Sequence, residues 1–237
     1  MSAYLLGILF IIIHLFSNNF IPANQIRRRK WLSFSGGLAV SYVFVYILPS
    51  MHREQQQTVE VYTDNLTMES ELYFVGLFGL LIFYGIQKTF KQAVQSQRNR
   101  STLWLQIIFF TIYNMLIVYI VMASNVTGIQ SVFYGIAIGL HFIAVAHDLW
   151  RENPKQYNLV GRFVIASGII IGWIIGVFVT LSSFTQAMIF AFISGAMILN
   201  VLKNELPNEQ HAHFPTFAFG VISYTLITFA LKFFFEW

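Results

Sequence analysis

Residues 159–181 read LVGRFVIASGIIIGWIIGVFVTL, with Arg162 the single charged residue among them. A helix rises 1.5 Å per residue, so about 20 apolar residues cover the ~30 Å hydrocarbon core of a bilayer. This stretch has the length and the composition to do so. Stretches of the same kind recur from one end of the chain to the other. They cover Ala3–Phe20, Lys30–Pro49, Glu71–Phe90, Thr102–Ser124, Gln130–Leu149, Leu159–Leu181, Phe184–Leu202 and Phe214–Phe235. The expectation is an all-α integral membrane protein, a single bundle of eight transmembrane helices spanning residues 1–237. The connecting loops are too short for a soluble domain.

Composition points the same way. Of the 237 residues 57% are hydrophobic and 10% charged, against roughly 25% charged in a soluble domain. Such a chain lacks the polar surface to face water, and lipid must cover much of it. The net charge of +4 does not indicate nucleic acid, because the basic residues stand in short clusters between apolar runs. There is no cysteine, so disulfides, thiolate metal sites and cysteine nucleophiles are excluded. The apolar N-terminus resembles a signal peptide only superficially. No basic residue precedes Tyr4–Phe16, and the basic run Arg27–Lys30 follows it.

Lys and Arg set the orientation. One set of alternating loops holds Arg27–Lys30, Lys88, Lys91, Arg98, Arg100, Arg151, Lys155, Arg162 and Lys203; the other holds Arg53 and Lys232. The first set is expected in the cytoplasm, which puts both termini on the non-cytoplasmic side and agrees with an even number of spans. The plasma (inner) membrane is the expected location. All five prolines are expected at helix ends or in loops, none interrupting a span. Gly168, Gly172 and Gly176 repeat every four residues, as do Gly135 and Gly139. Small residues at this spacing let helices approach closely in lipid. Packing inside the bundle is the first reading of them, and a homodimer through these faces the second.

Ionisable groups inside a membrane are costly and become functional candidates by default. Deep in the expected spans stand His14 and His141. Tyr113 and Asn114 fall at a depth similar to that of His141, so a hydrogen-bonded His pair across helices and a substrate or metal contact are both open. Tyr46 is a candidate for lining a pathway. His147 and Asp148 form a polar pair at the cytoplasmic end of the fifth span, beside Trp150 and Arg151. No metal triad, paired carboxylates or activated nucleophile is visible at depth, so an intramembrane enzyme is not expected.

The order of these pieces resembles the Zrt/Irt-like (ZIP) divalent metal transporter family. The second span, from Ser35-Gly36-Gly37-Leu38 to Tyr46-Ile47-Leu48-Pro49, is similar to that family's second helix. Phe192-Ile193-Ser194-Gly195-Ala196-Met197 through Asn204-Glu205-Leu206-Pro207 is similar to its seventh helix and following turn. The resemblance implies an eight-helix ZIP-like bundle with a transport site on the fourth and fifth helices. There Asn114 and His141 match the family's motifs, while Tyr113 and Ile117 replace a His and an acid. It also implies Zn or another divalent cation as the substrate. Zinc takes about four ligands, and Asn114 with His141 supplies two neutral ones. Three functions stay open: divalent metal transport by a reduced site at Asn114 and His141, transport of a neutral or weakly charged solute, and a non-transporting scaffold for a protein partner or lipid.

Overall fold

The computed structural model describes residues 3–22, 24–62, 70–95, 100–124, 128–152, 154–207 and 212–235. Among these residues the chain forms eight helical rods and no strand. They are α1 (Ala3–Phe16); α2, continuous through Gln25–Tyr42, Val43–Ile47 and Leu48–Tyr62; α3 (Glu71–Gln95); α4 (Arg100–Ala123); and α5 (Gly128–Glu152). There follow α6, made of Pro154–Gln156, Tyr157–Gly161 and Arg162–Phe178; α7, made of Ser183–Asn200 and Val201–Glu205; and α8 (Phe214–Phe235). The rods α2 to α8 are each long and apolar enough to cross a membrane, and the chain is a multi-pass membrane protein. The first rod is shorter. Ala3–Phe16 is followed by a 3₁₀ turn at Ser17–Phe20, where one span, Ala3–Phe20, was expected.

Many of the apolar side chains that the bundle leaves uncovered, such as Phe74, Phe78, Phe178, Phe219 and Phe233, point outward, as lipid-facing residues must. Three helix pairs are drawn together by glycine: α4 with α6, α2 with α8, and α3 with α7. A Cβ on Gly168 or Gly172 would run into the carbonyls of Thr111 or Met115 on α4, and one on Gly79 into that of Phe192 on α7. The Gly168–Gly172–Gly176 face is therefore spent inside the bundle, the first of its two readings. Gly139 of α5 lies against Ile13 of α1.

One expectation about proline is overturned. Pro49 was expected at a helix end, but α2 runs on through it for more than two further turns. A proline inside a helix removes an N–H and crowds the carbonyl four residues back. The helix answers with a π turn at Val43–Ile47, immediately before the proline, in which the Leu48 N–H reaches the Val43 carbonyl. Asn24 caps the start of the rod, its side-chain oxygen accepting from Ile26 N at 3.0 Å and Arg27 N at 3.2 Å.

Another π turn, Val201–Glu205, extends α7 beyond Leu202, where the expected span stops. This changes where Glu205 lies. Instead of standing in a loop, its carbonyl sits against Gly36, eleven residues or about 16 Å along α2 from Gln25.

Candidate functional site

The site is built on α2, α4, α5 and α7, whose inward faces bound a cavity of about 380 Å³. Its polar end is lined by Arg53, Glu54, Gln57, Ser124, Ser183 and Gln186, residues near the ends of α2, α4 and α7. Further in the walls are apolar and aromatic. Tyr42 and Tyr46 stack at 5.2 Å between centroids and 8° between planes, and Tyr134 meets Tyr46 edge-on at 5.1 Å. The π turn before Pro49 carries Tyr46 and Ile47 into this wall. Ile117, Ile138 and Met197 line its inner part.

One helical turn beyond each of those three residues comes a polar group: Tyr113 and Asn114 after Ile117, His141 after Ile138, Asn200 after Met197. His141 is 13 residues along α5 from Gly128, about 20 Å from that end of the helix. Its ring is buried, and both nitrogens are engaged. Nδ1 lies 2.8 Å from Oε1 of Glu205, and Nε2 lies 3.1 Å from the Tyr113 hydroxyl. The side chains of His141 and Glu205 are 3% and 4% exposed. Asn200 Nδ2 donates to the same carboxylate oxygen at 2.8 Å, and Asn204 Nδ2 donates to Asn200 Oδ1 at 2.8 Å. Nδ1–H of His141 donates to the Glu205 carboxylate, and Nε2 is within hydrogen-bond reach of the Tyr113 hydroxyl. A carboxylate at this depth is held by its two donors, because an unpaired charge in a low-dielectric core is prohibitively costly.

Beyond this cluster lies a smaller pocket, lined by Gln87, Gln106, Asp148, Arg151, Asn200 and Asn204. Asn200 thus lies at the meeting point of the buried network and the second pocket. The arrangement along the bundle is a polar mouth, an amphipathic cavity, a layer of aliphatic side chains, a buried ion-pair network and a second polar pocket.

The expected site residues divide among these parts. Tyr46 lines the large cavity. Tyr113 and His141 meet in the network. Asn114 is fully buried, and its two amide atoms have no hydrogen-bond partner. Among the described residues no group of three or more His, Cys, Asp or Glu is placed to hold a metal ion. His147 stacks on Trp150 at 5.7 Å, and Asp148 lies 4.0 Å from Arg151. His14 is buried with both ring nitrogens unpartnered, its ring edge-on to Phe142 and Tyr157. Sequence reasoning missed Glu205, the one carboxylate of the buried network. A signal was present: Ser194, Met197, Asn200 and Asn204 follow one another at three- and four-residue steps, a partly polar stripe on one face of α7. Lys203, beside it, turns elsewhere and lies 4.8 Å from the Tyr84 ring.

A family model described as "Protein of unknown function (DUF3270)" matches residues 84–150. That segment runs from within α3 through α4 to the end of α5 and carries Tyr113, Asn114 and His141. No curated protein and no solved structure matches the chain. The resemblance to the ZIP family is thereby overturned: the matched family is an uncharacterised one, and it covers the very helices on which the ZIP transport site was expected. Both nitrogens of His141, which that family would offer to a metal, are here engaged with Glu205 and Tyr113.

Proposed function

We propose that this protein transports a small, uncharged amphipathic solute across the membrane, loading it into the cavity between α2, α4, α5 and α7. The observation that carries this reading is the position of that cavity. It has an amphipathic interior within an apolar bundle, and it stops about one turn short of a buried polar network with a second pocket beyond. A carrier needs a binding space reached from one side and closed toward the other, and this stack of layers supplies both.

The lining argues for the solute class. Among the lining residues the charges are Arg53 and Glu54 at the mouth; the interior offers tyrosine rings, Ser50, Ser194 and aliphatic side chains. Such walls accept an apolar or aromatic body and hydrogen-bond a few neutral polar groups. A volume of about 380 Å³ is at the small end of ligand sites, which span roughly 300–1,000 Å³. The distribution of Lys and Arg orients the protein. Arg27–Lys30, Lys88, Arg151, Lys155 and Lys203 belong on the cytoplasmic side, so the mouth opens outward. Both termini then lie outside, and an outward-facing solute site suits the plasma membrane.

Uptake into proteoliposomes tests the proposal. Vesicles holding the wild type or Ile120→Trp are incubated with a defined mixture of small uncharged metabolites, and the lumen is read by mass spectrometry. Ile120 is a half-buried wall residue, and an indole there narrows the cavity. Enrichment of one or a few solutes by the wild type, lost in Ile120→Trp, is expected. Identical lumenal contents in wild-type, Ile120→Trp and protein-free vesicles would sink the reading.

A further inference from the structure

We infer that the His141–Glu205 pair is a proton-binding site, and that a proton taken up there unlatches the bundle so that the cavity closes outward and opens inward. This rests on the transporter reading and adds the coupling ion to it. Four observations converge. The pair ties α5 to α7, and Tyr113 adds α4; these are three of the four helices that bound the cavity. It lies between the cavity's inner residues and the second pocket, where a gate must be. Its carboxylate is on a π turn, with Leu206 N bonded to Val201 O at 3.0 Å. Such single π turns recur at functional sites, and relaxing one to α geometry shifts the residues at its end. The pair is buried at 3% and 4% exposure, so a change of charge there is not absorbed by solvent and falls on the bonds that tie the helices.

Tyr113 faces the pair from α4. Tyr42 of α2 lies on the side of the cavity and meets Tyr224 of α8 edge-on at 6.2 Å. Asn200 and Asn204 of α7 are neutral donors, and α3 contributes Gln87 to the pocket beyond. Asp148 and Arg151 of α5 line that same pocket, and Lys203 of α7 is turned to Tyr84.

The proton balance is simple. A hydronium that enters from the large cavity as the layer of Ile117, Ile138 and Met197 parts gives its proton to the Glu205 carboxylate, forming an O–H bond and leaving water. The charge that held His141 Nδ1–H and Asn200 Nδ2–H is removed, and two charge-assisted bonds become weaker neutral ones. On the inward-open side the carboxyl returns the proton to water past Asn200 and Asn204. Each cycle moves one proton inward, so an uncharged solute is carried with one net positive charge.

The absence of native cysteine permits a test that needs no solute. Single cysteines are placed at Ile120, in the cavity wall, and at Gln87, in the inner pocket. Oriented proteoliposomes are treated with a membrane-impermeant methanethiosulfonate across the range in which carboxylates and imidazoles titrate, roughly pH 4 to 8. Acidification is expected to slow labelling of Ile120→Cys from outside severalfold and to speed labelling of Gln87→Cys from inside. Adding Glu205→Gln should hold both rates at their acid values at every pH. Glu205→Asp, which keeps a titrating carboxyl, should restore the pH response and stands in if the Gln variant does not fold. Rates indifferent to pH in the wild type, or a pH response that survives Glu205→Gln, would overturn the proton site. Failure of Ile120→Cys to react from the outside at any pH would instead remove the transporter reading itself.

Discussion

Replacing His141 with alanine leaves the Glu205 carboxylate in the middle of the bundle with Asn200 as its remaining donor. Breaking a buried ion pair by removing one partner costs about 3–5 kcal/mol, because the other charge stays behind uncompensated. For a chain of this size each kcal/mol moves the melting temperature by roughly 2–4 °C, so His141→Ala should melt about 6–20 °C below the wild type. Glu205→Gln removes the charge and keeps an oxygen at Oε1 for His141 and Asn200. Its cost is that of weakened hydrogen bonds, about 0.5–1.5 kcal/mol each. The double variant, His141→Ala with Glu205→Gln, should therefore be more stable than His141→Ala alone, a coupling that unrelated cavities would not show. Thermal unfolding in detergent, followed by tryptophan fluorescence and monodisperse elution, reads all three. Equal losses in the two single variants, with simple additivity in the double, would refute the claim that a buried charge is what His141 holds.

Tyr113→Phe deletes the hydroxyl that bonds His141 Nε2; interhelical bonds in membranes average about 0.6 kcal/mol and reach about 1.7, so a small loss of stability is expected by the same melting assay. Asn114→Leu should gain about 1–3 kcal/mol, since it removes a buried amide whose two atoms have no partner; a loss on denaturation would mean that the amide is in use. Gly172→Ala puts a methyl into the carbonyl of Met115 and should cost about 1–3 kcal/mol or more by forcing α4 and α6 apart. Gly85→Ala meets nothing within 4 Å and should be neutral or stabilising by up to about 1 kcal/mol; equal melting of the two variants would contradict the glycine-seamed packing.

Seven of the eight expected spans are legible in the sequence as long apolar helices, because apolar length is a strong signal when lipid is the solvent. Tyr113 and His141 could be set at a common depth by counting residues from their helix starts, and they do meet. Glu205 could not be found this way. Hydropathy falls at Lys203-Asn204-Glu205, so the span was ended at Leu202, whereas a π turn carries the helix on and sets Glu205 against Gly36. Pro49 misled for a related reason. Proline is a helix breaker unless the carbonyl behind it can move, and the π turn at Val43–Ile47 lets it move. The ZIP resemblance leaned on short Gly-Gly and Leu-Pro patterns, and in this chain those residues have packing jobs: Gly36 and Gly37 admit Glu205 and Phe217. None of the cavity's depth was visible, because it depends on which faces of four distant segments converge.

A carrier must close the mouth that α2 and α7 line, and a distance across it measures that closure. Spin labels on cysteines at Gln57 and Ser183, which line the mouth from these two helices, can be placed directly in a chain without native cysteine. Pulsed electron resonance in lipid nanodiscs is expected to give a shorter distance in Glu205→Gln than in the wild type, as the mouth closes. One narrow distance, identical in the two, would contradict a carrier and leave a rigid bundle.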